Sequence, residues 1–258
     1  MTGTVVLDID GVILLGGRPL PGAGRALHEL SEMGWSLVFA TNNATRTPGE
    51  NSERIGTLTG FRPEPGAMVT STVASCAMIG DADQPVFCTG EPGMAATLHG
   101  AGIEITNLPD HARTVLAGLN RRFTYDLLRD AVKAILAGAR FIAANDDPAY
   151  PTRRGLEPGA GALVAAMERA SGRTAEVAGK PHRPMLEVVS GRVGDGPVWV
   201  IGDRPETDMA LAVAGGWRSV LVLSGVTTDP ASVPAPLVPD MVIDGIASLP
   251  GALRQRRS

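Results

Sequence analysis

Thr4-Val5-Val6-Leu7-Asp8-Ile9-Asp10-Gly11-Val12 is the stretch on which the reading of this 258-residue chain turns. Four β-branched or apolar residues run without interruption, then give way to an acidic pair and a glycine. That is the signature of a short strand delivering polar groups at its end. Two later stretches repeat the design. Trp35 to Ala40 leads into Thr41-Asn42-Asn43, and Val198-Trp199-Val200-Ile201 leads into Gly202-Asp203-Arg204-Pro205-Glu206-Thr207-Asp208. A fourth polar piece, Gly179-Lys180-Pro181, stands between these two.

Helical patterns alternate with the strand-like runs. Leu27, Leu30 and Met33 recur at helical spacing within Pro21 to Met33, and Gly34 follows where a C-terminal cap belongs. Thr47, Pro48 and Glu50 read as N-cap, first helical residue and capping-box partner, with Gly60 beyond the helix end. From about Ala77 to Ala178 the alternation starts afresh, through Pro85 to Cys88, Glu91 to Leu98, Ile103 to Ile105, Thr114 to Leu119, Thr124 to Leu136, Phe141 to Ala144 and Gly159 to Ser171. A short helix from about Glu206 and a strand at Ser219 to Leu223 resume the first pattern, and Asp229 to Pro239 reads as Pro-rich loop. The expected organisation is α/β with a mostly parallel sheet, its core split over 1–76 and 179–258 around an inserted α/β domain at 77–178.

Composition narrows the class. A chain that is 44% hydrophobic and 19% charged can bury one or two cores without staples. Its net charge of −4 disfavours nucleic acid as a partner. No apolar run approaches the roughly 20 residues that span a bilayer, and the N-terminus enters a strand at once, without a basic leader, so the expectation is a cytoplasmic protein with no membrane partner. Cys76 and Cys88 lack metal-ligand spacing and read as small buried hydrophobes. His28, His99 and His111 read as surface or packing residues; His182, close to Lys180, stands where it could reach a cleft. Leu127, Ala131, Val132 and Ile135 read as the core face of a helix.

The chemistry follows from where the strands end. In open parallel sheets, ligands lie beyond the carboxyl edges of the strands, where Asp8, Thr41 and Asp203 would meet. Asp8 and Asp10, two apart on an extended segment, can face one substrate. Asp8 is placed as a nucleophile attacking phosphorus, and Asp10 as the general acid that protonates the leaving oxygen and then activates water. Mg²⁺ suits the carboxylates of Asp8 and Asp203, and Asp208 is expected just behind them, in support. Thr41, Asn42 and Asn43 offer a hydroxyl and amides to phosphoryl oxygens, and Lys180 offers a point charge.

Competing motifs fail on single residues. Val12 stands where a calcium loop needs Asp or Asn; Pro181 and Thr174 break a P-loop; Val164 breaks a dinucleotide fingerprint begun by Gly159 and Gly161. The four elements in this order resemble the haloacid dehalogenase (HAD) superfamily of phosphatases. With the insertion placed between Thr-Asn-Asn and Gly-Lys-Pro, the chain looks like the C2-capped (class IIA) group acting on p-nitrophenyl phosphate, phosphoglycolate, glycerol 3-phosphate, pyridoxal phosphate and nucleotides. Gly118 to Tyr125, Ala144 to Pro148, Pro158 to Gly161 and Leu223-Ser224-Gly225-Val226-Thr227 also look like segments of that group. The resemblance implies a Rossmann-like doubly wound core with a C2-type cap. It further implies Mg²⁺ as cofactor, an aspartyl-phosphate intermediate, Asp10 joining the metal site through its backbone carbonyl, and a cap able to mediate a homodimer. Ala44 departs from the Ser that often follows the two Asn residues.

Substrate choice is expected in the cap loop Asn145 to Thr152, where Asn145 and Asp147 could hydrogen-bond the hydroxyls of a small polyol. The vitamin B6 phosphatases of the group carry His where this chain has Tyr150, which counts against pyridoxal phosphate. Arg153 and Arg154 are candidates for a second anion. A small phosphorylated metabolite is therefore the expected partner. Glycerol 3-phosphate is preferred, with phosphoglycolate and nucleoside monophosphates as alternatives. A catalytically silent phosphoester-binding protein is the alternative of another class, opposed by the presence of both Asp8 and Asp10. Transfer of the phosphate to an alcohol instead of water is the remaining variant.

Overall fold

A computed structural model describes residues 3–152 and 155–256; Arg153 and Arg154 lie outside them. The chain divides into two compact units, one made of Met1–Thr41, Gly49–Val69 and Val189–Ser258, the other of Asn42–Pro48 and Thr70–Val188. This division by compactness places 42–48, 70–76 and 179–188 with the second unit.

The first unit is built on a six-stranded sheet in the order Met241–Ile243, Arg218–Val222, Val198–Gly202, Thr4–Leu7, Ser36–Thr41, Met68–Thr70. Thr4–Leu7 pairs in parallel with Val198–Gly202 on one side and Ser36–Thr41 on the other, and the pairs continue parallel out to Met241–Ile243. Numbered along the chain within this sheet, the order is the doubly wound 3-2-1-4-5-6, with its switch point between Thr4–Leu7 and Val198–Gly202. Val5, Leu7, Phe39, Trp199, Ile201, Val220 and Val222 form one buried cluster with Leu27 and Leu30 of helix Ala23–Glu32 and Leu249 and Leu253 of helix Leu249–Gln255. Fully burying each such large side chain contributes about 1.5–3 kcal/mol, which anchors the strand ends that carry the polar clusters.

The second unit has its own parallel sheet, in the order Glu176–Val177, Arg140–Ala143, Thr114–Ala117, Val86–Cys88. Alternation sorts its side chains to two faces. Val115, Ala117, Phe141 and Ala143 pack against Ala131, Ala134 and Ile135 of helix Tyr125–Leu136 and Val164 and Met167 of helix Ala160–Ser171. Leu116 and Ile142 pack on the other face with Met94, Leu98 and Ile103. Thr124 caps its helix by accepting the Leu127 N–H at 3.2 Å. Burial pushes the Cys76 and Cys88 thiols up to about 11, so both stay protonated at neutral pH and pack as small apolar side chains. His28 packs edge-on against Phe61, with ring centroids 5.1 Å apart.

Three local expectations change. Ile103 to Ile105 makes only an isolated bridge, Val86 to Ile105, in place of a full strand. Within the loop expected at Asn145 to Thr152, Ala149–Thr152 is a strand paired antiparallel with Gly155–Pro158. The helix expected from Glu206 begins as a π-helical turn, Pro205–Met209, before Ala210–Gly215.

Candidate active site

Two strand ends flank the switch point of the first unit and set the acidic groups. Leu7 stands opposite Ile201, and the Asp8 N–H donates to the Ile201 carbonyl at 2.9 Å, so Asp8 and Asp203 leave the sheet side by side. Carboxylate oxygens of Asp8, Asp203 and Asp208 all lie within 4.8 Å of one another. Exposure of the three residues is 8%, 1% and 1%. Among the described residues this is the one such group of three or more His, Cys, Asp or Glu side chains. It includes Asp208, which the sequence reading sets in a supporting position, and not the half-buried Asp10 side chain.

The π-helical turn is what returns Asp208 to Asp203. Asp208 N–H donates to the Arg204 carbonyl at 2.8 Å, while Arg204 N–H donates to Asp208 Oδ2 at 3.1 Å, a reciprocal pair that fixes the side chain. Such turns recur at functional sites. Gly202 makes room: a Cβ there would lie 2.1 Å from Asp208 Cβ. Gly11 has φ +91, and a Cβ would lie 2.2 Å from Asp203 Oδ2. Backbone freedom and close approach together therefore demand glycine at 11.

A divalent cation fits this donor set. Two ionised carboxylates within 4.8 Å of each other repel by at least about 3 kcal/mol at an effective dielectric near 20. Burial removes the water that would otherwise screen them. Three carboxylates of hard oxygen offset that cost by sharing a cation of the Mg²⁺ or Ca²⁺ type.

The polar groups of the second unit form another cluster, organised by Asn42. Its Oδ1 accepts the Lys180 N–H at 2.7 Å and its Nδ2 donates to the Lys180 carbonyl at 3.1 Å. Both ends of the side-chain amide thus grip the Lys180 backbone, with Asn42 8% and Lys180 3% exposed. Gly179 permits this approach, since a Cβ would lie 2.6 Å from Asn42 Oδ1. The Asn42 carbonyl accepts from Ser71 Oγ and from Asn145 Nδ2, each at 2.7 Å. Asn43 Oδ1 accepts from Thr45 N–H and Oγ1 at 3.1 and 2.7 Å, an Asx turn. Thr41, 2% exposed, ends its strand in the first unit.

Of the residues expected to read the substrate, Asn145 is 4% exposed and engaged with the Asn42 carbonyl and the Asp147 N–H. Asp147 Oδ1 accepts weakly from Asn42 Nδ2 at 3.4 Å. Tyr150 is half-buried and donates to Glu157 Oε2 at 3.0 Å. Burial first, then this carboxylate, raises the Tyr150 phenol above its ordinary value, so it stays protonated at neutral pH. His182 Nε2 lies 3.2 Å from Asp146 Oδ2. The motif reading attaches no role to Gly202, Gly11 or Ser71; the signal for the two glycines was their adjacency to Asp203 and Asp10.

Comparisons with known proteins place the chain in a family. The family described as haloacid dehalogenase-like hydrolase matches residues 5–104, and a HAD-hydrolase-like family matches residues 177–249. A dihydroxyacetone phosphatase of Corynebacterium glutamicum is 31% identical over 246 residues, covering 94% of this chain and 88% of that protein. The D-glycerol 3-phosphate phosphatase of Mycobacterium tuberculosis is 33% identical over 228 residues, covering 87% of this chain and 64% of the relative. Crystal structures of the glycerol phosphate phosphatase from that organism in complex with magnesium and with calcium superpose with TM-scores of 0.85 and 0.86. Both are 32% identical over 95% of this chain, covering 75% and 74% of the solved chains.

Proposed function

The chain belongs to the haloacid dehalogenase-like hydrolases and is a phosphoric monoester hydrolase, and from that premise we propose that it hydrolyses a three-carbon phosphate, glycerol 3-phosphate first, with Mg²⁺ and through phosphorylated Asp8. The buried group of Asp8, Asp203 and Asp208 carries this reading. These carboxylates, joined by the Asp10 carbonyl, would hold the ion, which when bound would neutralise charge on the substrate phosphate and lower repulsion at the nucleophile. Asp8 attacks phosphorus, the ester bond breaks, and Asp10 gives its proton to the departing alkoxide. Asp10 then takes a proton from water, whose oxygen attacks phosphorus and regenerates Asp8. Thr41 hydroxyl, the backbone N–H groups of Asn42 and Asn43, and Lys180 stabilise the equatorial oxygens. The Asn42 side chain, engaged with Lys180, acts by holding that lysine in place.

The domain reading of a core over 1–76 and 179–258 with a cap at 77–178 belongs to this proposal. So do substrate recognition by Asn145, Asp147 and Tyr150 and cytoplasmic action on a small metabolite. The names of the two phosphatase relatives, each acting on a three-carbon phosphate, support the substrate class.

Phosphate release from glycerol 3-phosphate, dihydroxyacetone phosphate, phosphoglycolate, pyridoxal phosphate and nucleoside monophosphates, with and without Mg²⁺, tests the reading. We expect Mg²⁺-dependent turnover with the highest kcat/KM on a three-carbon ester. Preference for a nucleotide would sink the substrate assignment, and turnover unaffected by chelation would sink the metal.

A further inference from the structure

The segment Ser224-Gly225-Val226-Thr227 follows strand Arg218–Val222 and has no part in the chemistry above. Its backbone closes over Asp203. Val226 N–H donates to Asp203 Oδ2 at 2.6 Å, a short charge-assisted bond, and Thr227 N–H donates to the Asp203 carbonyl at 3.2 Å. Ser224 Oγ donates to the Gly11 carbonyl at 2.8 Å, tying this segment to the loop on the other side of the same carboxylate. A Cβ on Gly225 would lie 1.9 Å from Asp203 Oδ2, the oxygen that Gly11 also approaches. Gly225 is not among the glycines with left-handed backbone, so an alanine there meets the carboxylate and no backbone penalty.

We propose that Ser224-Gly225-Val226-Thr227 is a positioning clamp that fixes the Asp203 carboxylate toward Asp8 and Asp208 before a cation binds, with Gly225 as the residue that admits the carboxylate. The inference rests on the reading of that triad as a divalent-cation site. Asp203 Oδ2 is held by the Val226 N–H and closed in by Gly11 and Gly225, so its rotamer is set by the protein and little ordering remains for the ion to impose. Partners of this kind, behind the ligands of a metal, are each worth about 10–100-fold in affinity.

Mg²⁺ titration by calorimetry, on wild type, Gly225→Ala, Ser224→Ala and Asp203→Ala, tests the clamp independently of turnover. Far-UV circular dichroism and Tm without Mg²⁺ report folding. A folded Gly225→Ala is expected to bind Mg²⁺ about 10–100-fold more weakly. Ser224→Ala should shift in the same direction by a smaller factor. A folded Gly225→Ala with affinity within about twofold of wild type would overturn the clamp, given the expected scale. Should Gly225→Ala fail to fold, a folded Ser224→Ala with wild-type affinity overturns it instead. Wild type that binds no Mg²⁺, like Asp203→Ala, would overturn the cation site and the clamp with it, whereas normal binding by both loop variants overturns the clamp alone.

Discussion

Asp8→Asn is expected to lower kcat for phosphate release by at least about 10³-fold while leaving the fold intact, because loss of a covalent nucleophile costs on this scale or more. The substitution is nearly isosteric, and the strand that carries Asp8 is buried and paired on both sides. Its amide cannot form the acyl phosphate, and removing one of three crowded carboxylates relieves repulsion, so Tm should hold or rise. Steady-state kinetics and a thermal scan together check this. Turnover within tenfold of wild type would remove Asp8 from the nucleophile's role.

Lys180→Ala is expected to reduce kcat/KM on the order of 10²–10³-fold, about 2.7–4 kcal/mol, the scale of one oxyanion donor. Asn42→Ala should reproduce part of that loss without touching the ammonium. It strips partners from the buried N–H and carbonyl of Lys180 and so loosens the lysine backbone. The pair distinguishes a positioning role from an independent one. If Asn42 acts through Lys180, the double variant is no slower than Lys180→Ala alone; if its side chain binds phosphate separately, the two losses multiply. A fall of less than tenfold in Lys180→Ala would make the lysine structural.

Much of this was legible in the sequence because the strands that lead into Asp8 and Asp203 are buried on both faces. Thr4–Leu7 and Val198–Gly202 read as unbroken apolar runs since every residue in them is buried, and the acidic residue that follows marks the sheet edge. Other pieces carry no such pattern. Met68–Thr70 and Glu176–Val177 are two or three residues long, too short for a period to show. Ala149–Thr152 and Gly155–Pro158 contain two prolines and an exposed Leu156, and so leave no alternation of apolar and polar residues to read. In the site, Asp8 and Asp203 could be found by position relative to strands. The closeness of Asp208 depends on a π-helical turn, which has no sequence period. The use of Asn42 is equally hidden: an amide after a strand reads as an anion donor, but its partner lies 138 residues away.

In the proposed mechanism phosphate passes through Asp8 with Asp10 as acid and base. This is tested most directly by mixing the Asp10→Asn variant with p-nitrophenyl phosphate and Mg²⁺ and following nitrophenolate and enzyme-bound phosphate. Nitrophenolate leaves without help from an acid, so the first step survives this substitution and the second, which needs a base for water, does not. We expect a burst of about one nitrophenolate per enzyme, the kinetic fingerprint of a covalent intermediate, followed by near arrest, with phosphate recovered on the peptide containing Asp8. Steady release without a burst, or a burst whose phosphate lies on another residue, would contradict it.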